Sequence, residues 1–144
     1  MTDLKQYCSF FVADLFFGVE VQLVQEVIRY QEMTPVPLAT PEISGLINLR
    51  GQIVTAIDLR RRLDLPDRKP GQFPMNVVVR TDEMAVSLLV DEIGDVLHLQ
   101  PEAYEPAPET LNGPVRELTL GVNKLKDRLL LLLDTAKTVN GVAA

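Results

Sequence analysis

The sequence predicts a mainly β protein built from two copies of one small module. Three observations carry that reading. The 144 residues are 47% hydrophobic yet carry ten prolines and eight glycines, so the apolar runs are short and closely punctuated, which favours many short strands over long helices. Two apolar runs flank Gly51-Gln52, the pattern of a hairpin. The run from Gly121 can also be laid on the run from Gly45 without a gap, so that hairpin occurs twice.

Taken in order, residues 7–12 and 15–21 are aromatic and β-branched runs around Ala13-Asp14, and read as a first hairpin holding four of the five phenylalanines. From Val21 the spacing changes. Val21, Val24 and Ile28 fall near one helical face with Leu23 and Val27 beside it, which predicts one or two helical turns over 21–28. Residues 33–41 hold Pro35, Pro37 and Pro41 and cannot continue a helix, so they are expected to form an extended connector.

The hairpin at 43–57 follows. Glycine at the first central position of Gly51-Gln52 suits a type II′ turn. That turn sets Arg50 opposite Ile53, Leu49 opposite Val54, Asn48 opposite Thr55, Ile47 opposite Ala56 and Leu46 opposite Ile57. Ile47, Leu49, Val54 and Ala56 then share an apolar face, while Leu46, Asn48, Arg50, Thr55 and Ile57 face part solvent and part contact surface. Asp58 is placed to cap a short helix carrying Leu59 and Leu63.

Residues 65–74, with three prolines and a glycine, break all periodicity and mark the internal boundary. Residues 75–80 and 84–90 predict another hairpin across Thr81-Asp82-Glu83, and residues 93–97 repeat the helical patch. Pro106-Ala107-Pro108 repeats Pro35-Val36-Pro37. In the final match Leu125 falls on Leu49, Lys126 on Arg50, Asp127-Arg128 on Gly51-Gln52, residues 129–133 on 53–57 and Asp134 on Asp58. Leucine propensity argues for helix at 129–133, but the duplication argues for strand, which is the reading adopted. One unit spanning 1–144 is expected, with halves at 6–68 and 74–138 between which strands can exchange, each half a small bent sheet or barrel.

A chain this long can bury about 70% of its unfolded surface, enough for a true core. The net charge of −6 opposes a general phosphate-binding surface, with Arg60, Arg61 and Arg62 as a local exception. A lone Cys8 excludes an intramolecular disulfide, and a lone His98 leaves no Cys/His metal cluster. Residues 1–6 lack the form of a secretory signal, and the leucine run at 129–133 is too short to span a bilayer.

No glycine-rich phosphate cradle is present, and no serine or cysteine nucleophile has a choice of histidines. His98 reads as structural or surface, Cys8 as packing, and the acids Asp91, Glu92 and Asp95 as a solvated helix start, so catalytic residues are expected to be none. What remains is binding: two β units create a junction groove suited to a partner helix, with Val24 and Val96 the residues to watch. The alternative is a small β barrel that binds nucleic acid through Arg50 and Arg60 to Arg62.

The run Ile43-Ser-Gly-Leu-Ile-Asn-Leu-Arg-Gly-Gln-Ile-Val, with Ile57-Asp-Leu-Arg after it, resembles the signature of the CheW family of bacterial chemotaxis coupling proteins. Val-Gln-Glu-Val-Ile from Val24 and Val90-Asp-Glu-Ile-Gly-Asp-Val-Leu also fit, and the likeness covers about residues 6–137. The resemblance implies two Src-homology-3-like five-stranded β barrels packed together with short helices, and an adaptor without catalysis or cofactor. It implies a cytoplasmic protein at receptor arrays on the inner membrane, joining chemoreceptor tip helices to the regulatory domain of the histidine kinase CheA.

It further implies that a receptor tip docks in an apolar groove at Val24, Glu26, Ile93 and Val96, and that Gly45, Asn48 and Arg50 serve coupling. Two readings of Arg50 stand: a forked ion pair with a partner, or an ion pair with an acid of the same molecule, with Gly45 and Gly51 merely permitting the backbone path. Thr55 stands where the family commonly has proline and Ser87 where it commonly has glycine, departures that bear on partner specificity. Nothing resembles a receiver domain or a kinase ATP site.

Overall fold

The computed structural model describes residues 4–81, 84–100 and 105–140. The turn expected at Asp82 and Glu83 and the reading of Met1, Thr2 and Asp3 fall outside them. Ten strands run β1 (Lys5–Val12), β2 (Leu15–Glu20), β3 (Val24–Ile28), β4 (Ile43–Leu49), β5 (Gln52–Asp58), β6 (Met75–Thr81), β7 (Met84–Val90), β8 (Glu92–Leu99), β9 (Thr119–Lys124) and β10 (Leu129–Leu133). Among the described residues three short helices, α1 (Leu59–Arg62), α2 (Gly113–Glu117) and α3 (Thr135–Asn140), accompany them; the sequence reading contained no counterpart of α2.

The strands form two five-stranded sheets of the same plan. One is ordered β8-β1-β2-β10-β9 and the other β3-β6-β7-β5-β4. The middle of the chain builds the second sheet, while the first takes β1 and β2 from the start and β8 to β10 from the end. Strands therefore cross between 6–68 and 74–138. In each sheet a β-hairpin strand is joined to the duplicated hairpin by a parallel pair, β10 on β2 and β5 on β7.

The duplication is visible pair by pair. Leu129 opposes Lys124 as Ile53 opposes Asn48, Leu131 opposes Val122 as Thr55 opposes Leu46, and both hairpins carry an irregularity at their far end. Residues 129–133 are strand, so duplication outweighs leucine's helical propensity. The helices that follow the hairpins meet at equivalent positions: Arg62 of α1 donates from Nε to the Thr138 carbonyl oxygen (3.0 Å) and from Nη2 to that of Lys137 (3.0 Å) on α3.

Seventeen buried apolar side chains, among them Phe10, Phe17, Val79, Leu88, Leu131 and Leu133, form one cluster drawn from both sheets. Four bury within each sheet's own curl, Tyr7, Phe16, Leu130 and Leu132 in one and Ile47, Leu49, Val54 and Val78 in the other. The main core is therefore the contact between the sheets. Among the described residues no helix is long and apolar enough to cross a membrane.

Two local expectations are corrected. The β4–β5 turn is Arg50-Gly51, with φ of 52° and 89°, the positive pair of a type I′ turn. Leu49 therefore opposes Gln52 and Ile47 opposes Val54, each two residues from its expected partner. A shift of one residue on each strand preserves the faces, so Ile47, Leu49, Val54 and Ala56 are buried as expected. Residues 24–28 and 92–99 are strands rather than helix, with only Val21–Leu23 forming a 3₁₀ turn. A bulge in each pairing explains the error: Val24 opposes Val79 and Val27 opposes Val77, so residues three apart face the same way, imitating helical spacing.

Asp58 caps α1 as expected, accepting from the Arg60 N–H (3.0 Å), and joins a larger charged node. Asp91, just past β7, accepts from Arg60 Nε (3.0 Å) and Nη2 (2.7 Å) and from the Ala13 N–H in the β1–β2 turn (2.6 Å). Arg68 Nε lies 2.9 Å from Asp91 Oδ1, and Arg68 Nη1 donates to Asp58 Oδ1 (3.0 Å). Burial pushes the Asp91 carboxyl pKa up, but hydrogen bonds from Arg60 and Ala13 and the charges of Arg68 and Arg60 outweigh it and hold it below the ordinary carboxylate value.

Because the folded pKa lies below the unfolded one, this stabilisation is complete above the unfolded value of about 4 and is lost as pH falls through the folded pKa. Asp91→Ala leaves the Arg60 guanidinium without its anion and Arg68 with Asp58 alone, and is expected to cost about 3 kcal/mol. Urea denaturation at pH 7 checks the loss, and repeating it toward pH 3 should show the difference from the parent shrinking.

Candidate functional site

β3 and β8 are edge strands in equivalent places of the two sheets. Val24 opposes Val79 and Ile93 opposes Phe10, and both pack on the inter-sheet cluster. Farther along, Val27 opposes Val77 and Val96 opposes Cys8. Opposed residues share a face, so each edge presents two apolar residues toward the seam, partly buried at Val24 and Ile93 and exposed at Val27 (38%) and Val96 (51%). The sequence reading missed Val27 as a seam residue because a helix over 21–28 assigns its side chain a different direction.

Glu26 does not belong to this stripe. It opposes Val78, whose side chain lies in the sheet's own curl, so it points to the other face. There its carboxylate pairs with Arg50 Nη2. Strands β3 and β4 are the two edges of one sheet, so the pair spans the mouth of the curled sheet. Arg50 is therefore held by an acid of its own molecule, although its side chain remains 75% exposed. A pair this exposed contributes at most about 1 kcal/mol.

Asn48 Oδ1 accepts the Gly51 N–H (2.8 Å) and fixes the turn that carries Arg50. Gly45 serves a steric need. The connector after β3 lies along β4, with the Thr34 and Leu46 N–H groups donating to each other's carbonyl oxygens (2.9 and 2.8 Å), and a Cβ on Gly45 would stand 2.7 Å from the Thr34 oxygen. The three residues expected to act together thus lie on one hairpin, at the edge opposite β3.

The chemistry candidates are dispersed. Asp91 is held by arginines at the charged node, while Asp95 and His98 are exposed on β8. Burial pushes the Cys8 thiol pKa up, away from the reactive thiolate. Among the described residues no three His, Cys, Asp or Glu side chains are placed to hold a metal. Arg60 binds Asp91, Arg61 binds Asp67 and the Pro41 oxygen, and Arg62 caps α3, so the arginine run serves contacts within the chain. That opposes the nucleic-acid alternative.

The model of the CheW-like domain family matches residues 6–143. The chain belongs to the CheW-like family. It is 29% identical over 136 residues to the chemotaxis protein CheW of Klebsiella aerogenes, covering 94% of this chain and 82% of that one. Over 118 residues it is 31% identical to the chemotaxis protein CheW of Bacillus subtilis, covering 82% and 76%. The crystal structure of the scaffolding protein TtCheW from Thermoanaerobacter tengcongensis superposes with a TM-score of 0.80 at 26% identity, covering 92% of this chain and 84% of that one. The two sheets are thus the paired Src-homology-3-like units of a CheW fold.

Within this CheW-like frame, Gly45→Ala is expected to displace the Thr34 connector and cost about 2 kcal/mol, measured by thermal unfolding. Arg50→Ala, which removes only the exposed pair, should change stability by less than about 1 kcal/mol.

Proposed function

We propose that this chain is a non-catalytic chemotaxis adaptor that couples the cytoplasmic tips of chemoreceptors to the regulatory domain of the histidine kinase CheA. In this reading it works in the cytoplasm, at receptor arrays on the inner membrane. The observation that carries the receptor half is the seam stripe: Val24, Val27, Ile93 and Val96 rise from the main core to the surface on two edge strands of equivalent register. A helix with apolar residues three and four apart can lay one face along such a stripe.

The hairpin of Gly45, Asn48 and Arg50 lies away from the stripe, so one partner can be held at the seam and coupling exerted through the Arg50 turn. Family membership supports the adaptor role, and the likeness to chemotaxis and scaffolding proteins supports its pathway.

The test is capture of a purified receptor-tip helical hairpin and of a CheA regulatory domain by the immobilised protein. Both should be retained by the parent. Val96→Asp sets a charge against an apolar helix and should weaken receptor-tip capture at least tenfold with an unchanged circular dichroism spectrum. Arg50→Glu should weaken capture of at least one partner. Undiminished receptor-tip capture by Val96→Asp would remove the seam from the proposal, and undiminished capture of both partners by Arg50→Glu would remove that arginine.

A further inference from the structure

The two sheets share one plan, yet their mouths differ. In one, Glu26 of β3 and Arg50 of the β4–β5 turn join across the opening. In the other, the same places are taken by Asp95 of β8 and Lys126 of the β9–β10 turn. Glu26 stands two residues beyond Val24 and beside Val27, as Asp95 stands two beyond Ile93 and beside Val96. Lys126 falls on Arg50 when the hairpins are superposed by register, and the Leu125 N–H to Arg128 oxygen bond (2.8 Å) closes its turn without the positive φ that Arg50 adopts.

Between Asp95 and Lys126 lies a cleft of about 400 Å³. Phe11, Phe16, Leu97 and Leu125 line it, and the Arg128 guanidinium sits 5.3 and 5.1 Å from the ring centres of Phe11 and Phe16. Among the described residues neither the Asp95 carboxylate nor the Lys126 ammonium has an ion-pair partner. The chemistry explains the difference. Aspartate is one methylene shorter than glutamate, and lysine offers a mobile point charge where arginine offers a rigid fork, so this pair holds its mouth less firmly.

We propose that Lys126 and Asp95 form a latch that closes the apolar cleft of this sheet, as Arg50 and Glu26 close the other, and that the structure shows the latch open. An exposed pair of this kind is weak and screened by salt. Closed and open forms are therefore both populated, and the aromatic floor at Phe11 and Phe16 is displayed in proportion to the open form.

Two measurements test this. Zero-length carbodiimide coupling should join the Asp95 carboxylate to the Lys126 amine as an amide, the carbodiimide taking up the water released, and peptide mass mapping locates the link. Glu26 with Arg50→Lys, which sets an amine beside that carboxylate, is the positive control, and the yields should agree within tenfold. Failure to cross-link where the control succeeds overturns the latch.

Because the chain has no tryptophan, Phe11→Trp places a single fluorophore in the cleft. Acrylamide quenching should rise at least twofold with Lys126→Glu or with 1 M salt, and fall at least twofold with Asp95→Glu plus Lys126→Arg, which copies the other mouth. Quenching indifferent to all three overturns the proposal, and should Phe11→Trp fail to fold, the cross-link alone decides it.

Discussion

The carboxylate of Asp91 sets the relation of the two sheets. It receives the N–H of the β1–β2 turn in one sheet while it stands at the end of β7 in the other, and Arg60 and Arg68 bring α1 and the 64–74 segment to the same point. Hydrophobic burial between the sheets supplies most of the driving force but is non-directional, so by itself it tolerates sliding. Charge-assisted hydrogen bonds demand geometry. Their desolvation cost is offset because Asp91 Oδ2 accepts from Arg60 and the Ala13 N–H and Oδ1 accepts from Arg60 with the Arg68 charge beside it, and the node thereby gives a nonspecific apolar contact one register.

Duplication explains the plan, and divergence explains how each copy closes. A Cβ on Gly18 would lie 3.1 to 3.3 Å from the Leu130 side chain, so glycine there makes room for a large neighbour. The equivalent positions in the other sheet are Ser87 and Val54, larger on one strand and smaller on the other. The buried Ser87 hydroxyl then requires a partner, and it donates to Asn76 Oδ1 (2.7 Å) while Asn76 Nδ2 donates to the Arg29 oxygen (3.0 Å). That serine is thus satisfied by a network of its own sheet.

What was legible in the sequence follows from what each signal encodes. Alternation encodes faces, so Ile47, Leu49, Val54 and Ala56 were placed inside even though the turn was placed one residue late; Arg50 gives no hint that it adopts a positive φ, which belongs to the turn as a whole. Gap-free self-similarity encodes topology, so 129–133 was assigned to strand against its composition. The node at Asp91 was invisible, because it joins residues 13, 58, 60, 68 and 91, whose meeting depends on the strand exchange between halves. The helical spacing of 21–28 turns Glu26 away from Val24, and only the family resemblance groups the two; the strand agrees with the spacing, setting Glu26 on the opposite face.

The direction of Glu26 points to how the seam is made. A regular strand two residues on returns to the same face; a bulged one returns after three. The bulges opposite β1 and β6 let Val24 with Val27, and Ile93 with Val96, face the seam while Glu26 and Asp95 turn to the mouths. A bulge also disturbs the backbone of an edge strand, which discourages pairing with another strand. An edge disturbed in this way offers side chains rather than backbone groups, and such a surface suits a helix, whose own backbone is already hydrogen-bonded, better than an added strand.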